Sequence, residues 1–375
     1  MAAVAPQAFA GSTALEPTLA ISGDYSTNPQ LRTVDAQSGY AAVLEGSLPV
    51  SWADGRDLYS LAPRLRLADV GGDESVGGNG YYLGATASRS SDLAQMAAHA
   101  NWADESLVTA EPAAGTLTHI DVRRTSREAD AGWTRNLSPV SAINVGVSAQ
   151  SLAYAAGQAY GLYDYTNGAV NVQYTRSTSE ITQLQVVAGG SRYDSSFGQV
   201  VRADSYYAQV GVAGSLTPLW SYQLLYGRSD SRATGQTQSA SGPVYLASLT
   251  HTGERWTLNA SLTQTTQPSG FGTVTNSRET DASAEWKRSE RSKLTLTLRS
   301  AKTSDSFQSL TYADRTYESV LLGTSWQMSE VWDLNGTVGW QRQRLDFLLA
   351  AASGSGLGAS VSVARRFGRV KFGGA

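Results

Sequence analysis

Alternation of apolar and polar residues, repeated run after run, is the feature that most limits what this chain can become. Trp256, Leu258, Ala260 and Leu262 share one parity, and Thr257, Asn259 and Ser261 share the other. Ala282, Ala284 and Trp286 oppose Glu279, Asp281, Ser283, Glu285 and Lys287; Leu294, Leu296 and Leu298 oppose Thr295, Thr297 and Arg299. Trp332, Leu334, Val338 and Trp340 oppose Asp333, Asn335, Thr337 and Gln341. Successive side chains of a strand point to opposite faces, so each run predicts a strand with one apolar and one wet side. Such runs fall near 16–26, 38–51, 57–68, 80–91, 94–106, 117–134, 140–155, 161–176 and 179–192. They continue near 200–214, 218–230, 241–251, 254–265, 277–288, 292–302, 315–327, 330–343 and 357–367. The 375 residues thus hold eighteen runs, with sixteen as the alternative count.

Hydropathy then narrows the fold. Hydrophobic residues make up 41% and the mean hydropathy is -0.25, and no window approaches the ~20 apolar residues of a membrane helix. A helical membrane protein is excluded. A membrane β-barrel is not, because its strands average to a mild hydropathy. A soluble sandwich alternates too, but two features favour the barrel. Short turns, at 136–139, 216–218, 252–254, 289–291 and 328–330, alternate with longer Gly/Ser-rich connections at 69–79, 231–241, 265–276, 303–314 and 344–356. Outer-membrane barrels show this asymmetry, which places both termini on the periplasmic side. Also, Trp52, Tyr59, Trp133, Trp220, Trp256, Trp286, Trp326 and Trp332 all fall within a few residues of a short turn. An interfacial girdle explains that position, since the indole has an apolar body and a polar N–H.

The expected architecture is therefore all-β: one transmembrane antiparallel up-and-down barrel over 11–375, in the outer membrane of a bacterium. In hydrocarbon every backbone N–H and C=O must pair, so the sheet has to close. Met1 to Ala10, with Ala8-Phe9-Ala10 as a cleavage pattern, reads as the remnant of a signal peptide. The last run alternates through Leu357, Ala359, Val361 and Val363, with Arg365 as its one break, and closes at Phe367 or Phe372. The apolar parity changes around Ile120–Trp133, which predicts a bulge or a register break. About eighteen strands leave an aqueous interior. No connection much exceeds ~15 residues, so a deep constriction is not expected and the lumen should be fairly open.

Little in the sequence points to catalysis. Cysteine is absent, which removes disulfides, zinc–thiolate clusters and thiol chemistry. The net charge of -3 gives no nucleic-acid surface. His99 has no carboxylate at an adjacent same-face position, His119 lies two residues before Asp121, and His251 falls in the turn at 250–254. The glycine-rich stretch 71–80 lacks both the EF-hand acidic spacing and the P-loop lysine. The expectation is no enzyme, no cofactor and no metal. The residues expected to line the lumen are Arg64, Arg66, Asp121, Arg123, Glu279, Asp281, Glu285, Lys287, Arg299 and Asp333, where charges tune conductance.

Two local features carry a family resemblance. The first strand ends in Asp24-Tyr25-Ser26-Thr27-Asn28-Pro29, and Tyr59-Ser60-Leu61-Ala62-Pro63-Arg64-Leu65 opens the third. With the architecture of nearly the whole chain, they make it resemble the outer-membrane β-barrel porins encoded with exopolysaccharide-secretion systems. That resemblance implies a conduit for a secreted polysaccharide, with a periplasmic polysaccharide-export protein as partner and outer-membrane lipid around the barrel. Tyr207, Tyr222 and Tyr245 would then help sugars slide, if they face inward. Two other expectations stand beside it: a general diffusion or small-solute porin, and a surface anchor or adhesin with no transport role.

Overall fold

The computed structural model describes residues 12–73, 78–107, 122–196, 202–234, 239–306, 314–346, 351–368 and 370–372. The signal remnant at 1–10, His119 and Asp121 lie outside the described residues. The first strands are β1 (Ser12–Leu15), β2 (Thr18–Ser26), β3 (Gly39–Ser47), β4 (Val50–Asp54), β5 (Asp57–Gly72), β6 (Gly80–Ser90) and β7 (Ala94–Ser106). Next come β8 (Arg123–Ser138), β9 (Ser141–Tyr154), β10 (Tyr165–Ser177), β11 (Thr182–Ser195), β12 (Arg202–Thr217), β13 (Trp220–Ala233) and β14 (Ala240–Thr252). The last are β15 (Trp256–Ser269), β16 (Thr273–Ser289), β17 (Ser292–Asp305), β18 (Asp314–Gln327), β19 (Trp332–Asp346), β20 (Ala351–Arg366) and β21 (Val370–Phe372).

These segments form eighteen staves. β1 and β2 pair with β4 and β3 in one unbroken register, interrupted only around Pro17, and β3 and β4 continue one another past Pro49 along β5. Proline has no N–H to give the ladder, so a stave splits there without leaving the sheet. β21 likewise extends β20, with a one-residue shift in register against β1 and β2. Every neighbour is antiparallel, and β2 pairs with β20, so the sheet closes on itself. Thr13 pairs with Phe372, so both ends of the described chain meet at the short-turn end.

Boundaries depart from the sequence expectation in informative places. Within the described part of 120–133 there is no bulge or register break: the β8–β9 register runs unbroken from Arg124 to Asn136, and the irregularity lies between Asn136 and Ser138. The parity change arises because the long-connection end of β8 carries Arg123 and Arg127 on the face that bears alanines and tryptophan further down. His251 belongs to strand β14, not to a turn, and its ring lies 4.6 Å from Trp220. The largest departure is at 265–276. There β15 and β16 stay paired to Ser269↔Thr273, although β14 stops pairing with β15 at Gln264. A tight turn at Gly272, whose φ of 68° favours glycine, closes this ribbon.

Candidate functional site: the interior of the barrel

Register and burial together assign the two faces. One parity carries the exposed large apolar side chains, such as Ile21, Leu44, Val210, Leu322, Val338 and Val361. The opposite parity carries residues that touch strands far around the barrel, a contact possible only across the interior. Tyr193 of β11 donates its Oη–H to the Ser269 carbonyl of β15 at 3.1 Å.

The outer face has a banded order. All eight aromatics named from sequence, Trp52, Tyr59, Trp133, Trp220, Trp256, Trp286, Trp326 and Trp332, have outer parity near the short turns. Trp52 stacks on Tyr59 and Trp256 on Trp286 across neighbouring strands. Arg365 lies here too, 5.5 Å from the Trp332 ring centroid and 4.9 Å from that of Phe367, which explains a cation on an otherwise apolar parity. A second aromatic band, missed from sequence, runs nearer the long connections: Tyr25, Tyr40, Tyr81, Trp102, Tyr206, Tyr226 and Trp340. Trp332 to Trp340 and Tyr40 to Trp52 span about 27 and 41 Å along the strand at ~3.4 Å per residue, or roughly 20 and 30 Å vertically at ~40° tilt. Apart from Asp69, opposite Ala42 and just short of the Tyr40 row, no described Asp, Glu, Lys or Arg stands on the outer face between the bands. Past the second band charges return at once, as Arg202 and Asp204, Arg228 to Arg232, and Arg342 and Arg344.

The interior is polar and largely paired. Arg64 lies 3.5 Å from Glu45, and Arg66 lies 3.4 Å from Asp24, whose other oxygen accepts from Ser360 at 2.6 Å. Arg299 joins Glu279 at 3.1 Å and Asp281 at 3.6 Å. Glu285 holds Lys293, and Asp333 takes two nitrogens of Arg366 at 2.8 Å each. Lys287 has inner parity as well, opposite Lys293. Of the residues expected in the lumen, Arg123 is the one the register turns outward. It shares the outer face with Asp104, 2.6 Å away, and with Tyr81. It stands at the long-connection end of β8, beyond the apolar belt, where outward positions carry charge too, so charge there does not mark the lumen face.

Sequence reasoning missed several inward charges. Glu105 and Arg124 pair at 2.9 Å with only 11% and 7% of their side chains exposed. Asp130 meets His99 at 2.8 Å, so the histidine does have a carboxylate, on the neighbouring strand rather than its own. Strand register, which the sequence does not print, brings these pairs together. Tyr207 points inward, but Tyr222 and Tyr245 lie on the outer face, in the rows of Gly214 and Tyr226. Among the described residues, no three His, Asp or Glu gather into a metal-ligating group.

Described segments narrow the long-connection mouth, where the sequence predicts a fairly open lumen. The β15–β16 ribbon folds inward as a strap whose Val274 packs into a cluster with Leu107, Val122, Leu152, Tyr154, Leu162, Tyr165 and Tyr193. The Gly270 carbonyl accepts from the Tyr163 N–H at 2.7 Å, Thr273 Oγ1–H donates to Asp305 at 2.7 Å, and Arg315 lies 3.9 Å from the Phe271 ring centroid. From another side the 27–38 connection bends in. Asn28 bonds to the Arg32 N–H and to the carbonyls of Arg32 and Ser355, and Leu31 packs on Tyr317.

A BenF-like porin from Pseudomonas fluorescens superposes with a TM-score of 0.51 at 10% identity, covering 94% of this chain and 99% of that one. This is the fold of outer-membrane porins. OccAB4 from Acinetobacter baumannii gives a TM-score of 0.50 at 10% identity over 95% and 98% of the two chains. No family model matches the chain, and no curated protein matches its sequence. The porin fold is thus shared through shape and strand count at an identity too low to carry a substrate across.

Proposed function

We propose that the protein is an outer-membrane porin through which small hydrophilic solutes diffuse. The observation that carries this reading is the apolar outer belt between two aromatic bands, almost free of charge, wrapped around a polar and ion-paired interior. Hydrocarbon accepts the first surface and water the second. The short turns and both chain ends then face the periplasm, the eight short-turn aromatics form the inner girdle, and the strap narrows the outer mouth. That narrowing suits a small solute better than a polymer, and so favours diffusion over polysaccharide export. The test is purified protein in planar bilayers and in liposomes. Steady ion conductance with swelling in small sugars is expected. A sealed barrel, silent in both, would point instead to an anchor or adhesin.

A further inference from the structure

The interior is divided into two unlike halves. From β9 through β15, seven consecutive strands, no described inward position carries Asp, Glu, Lys or Arg. That segment does contain charges, among them Arg192, Arg202, Asp204 and Arg228, but the register puts those on its strands on the outer face, and Asp164, in the connection before β10, accepts the Tyr154 N–H at 2.8 Å. Inward stand amides and hydroxyls, including Asn167, Asn171, Gln173, Gln183 and Gln209. Gln223 donates to Gln185 at 2.8 Å across the intervening strand, so the amides are close enough to form a connected surface. Asn167 Oδ1 is buried with no hydrogen-bond partner among the described residues. Tyr207 lies over Gly189, where a Cβ would come within 2.7 Å of its ring, and stays half-exposed at an inward position. The opposite half, β16 to β20 and β2 to β8, holds the inward charges, and most of them satisfy one another.

Resting on the porin reading, we infer that the solute is an uncharged polyhydroxylated molecule, a sugar or sugar alcohol, that travels along the β9–β15 wall. An amide offers both a donor and an acceptor, matching a hydroxyl that is also both. An array of them lets a polyol exchange one set of hydrogen bonds for the next without leaving a group unsatisfied. An aromatic face held against the wall receives the C–H face of a sugar ring. An ion gains less here, because this wall carries no charge of its own and most of the charges opposite are already paired, with Glu128 and Lys287 outside those ion pairs. A solute selected by charge would need an unpaired row of one sign.

The test compares glucose, gluconate and glucosamine, which share a six-carbon skeleton and differ in charge. Proteoliposomes are swollen in each, and ion conductance is recorded on the same preparation. Swelling in glucose is expected to exceed that in either charged analogue by threefold or more. The double variant Gln183→Leu/Gln209→Leu should lower the glucose rate at least threefold and keep ion conductance within twofold. A second variant, Glu285→Gln/Lys293→Gln on the charged half, should leave glucose uptake unchanged. Folding of each is checked by heat-modifiable gel migration. Conductance with equal passage of all three solutes, or a folded amide variant that keeps the full glucose rate, overturns the inference alone. Failure to pass ions or any solute overturns the porin reading and the inference with it.

Discussion

Releasing the strap should open the channel by an amount that the structure allows to be worked out. Beside the backbone bond from Tyr163 to Gly270, two side-chain ties hold the ribbon tip and can be removed without disturbing the wall. Tyr193→Phe deletes the buried hydroxyl that reaches the Ser269 carbonyl at 3.1 Å, a neutral bond of about 1 kcal/mol. Thr273→Val deletes a hydroxyl that donates to the Asp305 carboxylate at 2.7 Å, and bonds to charged groups contribute about 2 kcal/mol. Both replacements nearly conserve volume, so Val274 and its apolar cluster stay packed. Together the closed form loses about 3 kcal/mol, and its ratio to the released form falls on the order of a hundredfold. Single-channel recording reads this directly: the double variant should spend far more time at a higher conductance level than the wild type, with each single variant between them. If the conductance histogram of the folded double variant matches that of the wild type, the strap does not limit the passage and the energetic reasoning is wrong.

Three further outcomes test the assignment of faces. Leu296→Arg places a cation on the outer belt and should destabilise the folded barrel by about 2–4 kcal/mol in urea titrations from lipid vesicles. Thr297→Arg, its inward neighbour on β17, should cost far less. Glu105→Ala leaves the 7%-exposed Arg124 guanidinium without its carboxylate and should cost about 3–5 kcal/mol by the same titration. A double-mutant cycle on the stacked pair Trp256 and Trp286, 5.7 Å between centroids, should return a coupling of about 0.5–1.5 kcal/mol.

Strand count and pairing order were legible because alternation has a period of two and a barrel repeats it on every stave. All eighteen expected runs overlap a stave, and the turn-linked tryptophans mark the short-turn end of six hairpins. The interior was less legible. Parity within one strand is visible in sequence, so Glu279, Asp281 and Arg299 could be grouped. Which carboxylate meets which cation depends on register between strands, so Asp24 with Arg66, Glu45 with Arg64 and Asp130 with His99 were not seen. The strap was hidden for another reason. Residues 265–276 read as a polar connection, because a ribbon inside an aqueous mouth needs no lipid-facing belt, and its apolar side chains, Phe271 and Val274, do not alternate along a strand. One clue was present: the inward charges expected from sequence jump from Arg123 to Glu279, and that gap contains the whole uncharged wall.

The strap and the division of the interior share a boundary. β15 is the last uncharged strand and β16 the first charged one, with Glu279 only a few residues beyond the tip. From this seam the strap leans over the uncharged half, tied to Tyr193 and Tyr163 and packed near Tyr154, and touches the charged half through Asp305 and Arg315. The tip itself, Gly270 to Val274, contains no ionisable side chain. Its release therefore widens the approach to the amide wall and leaves the arrangement of inward charges nearly as it was. Permeation and ion selectivity should separate. The Tyr193→Phe/Thr273→Val variant should swell faster in glucose, yet keep the wild-type reversal potential in a potassium chloride gradient. A reversal potential that moves with strap release would mean that the closed strap shields Glu279, Asp281 and Arg299 from the passage. The two halves of the interior would then be coupled through the hairpin that joins them.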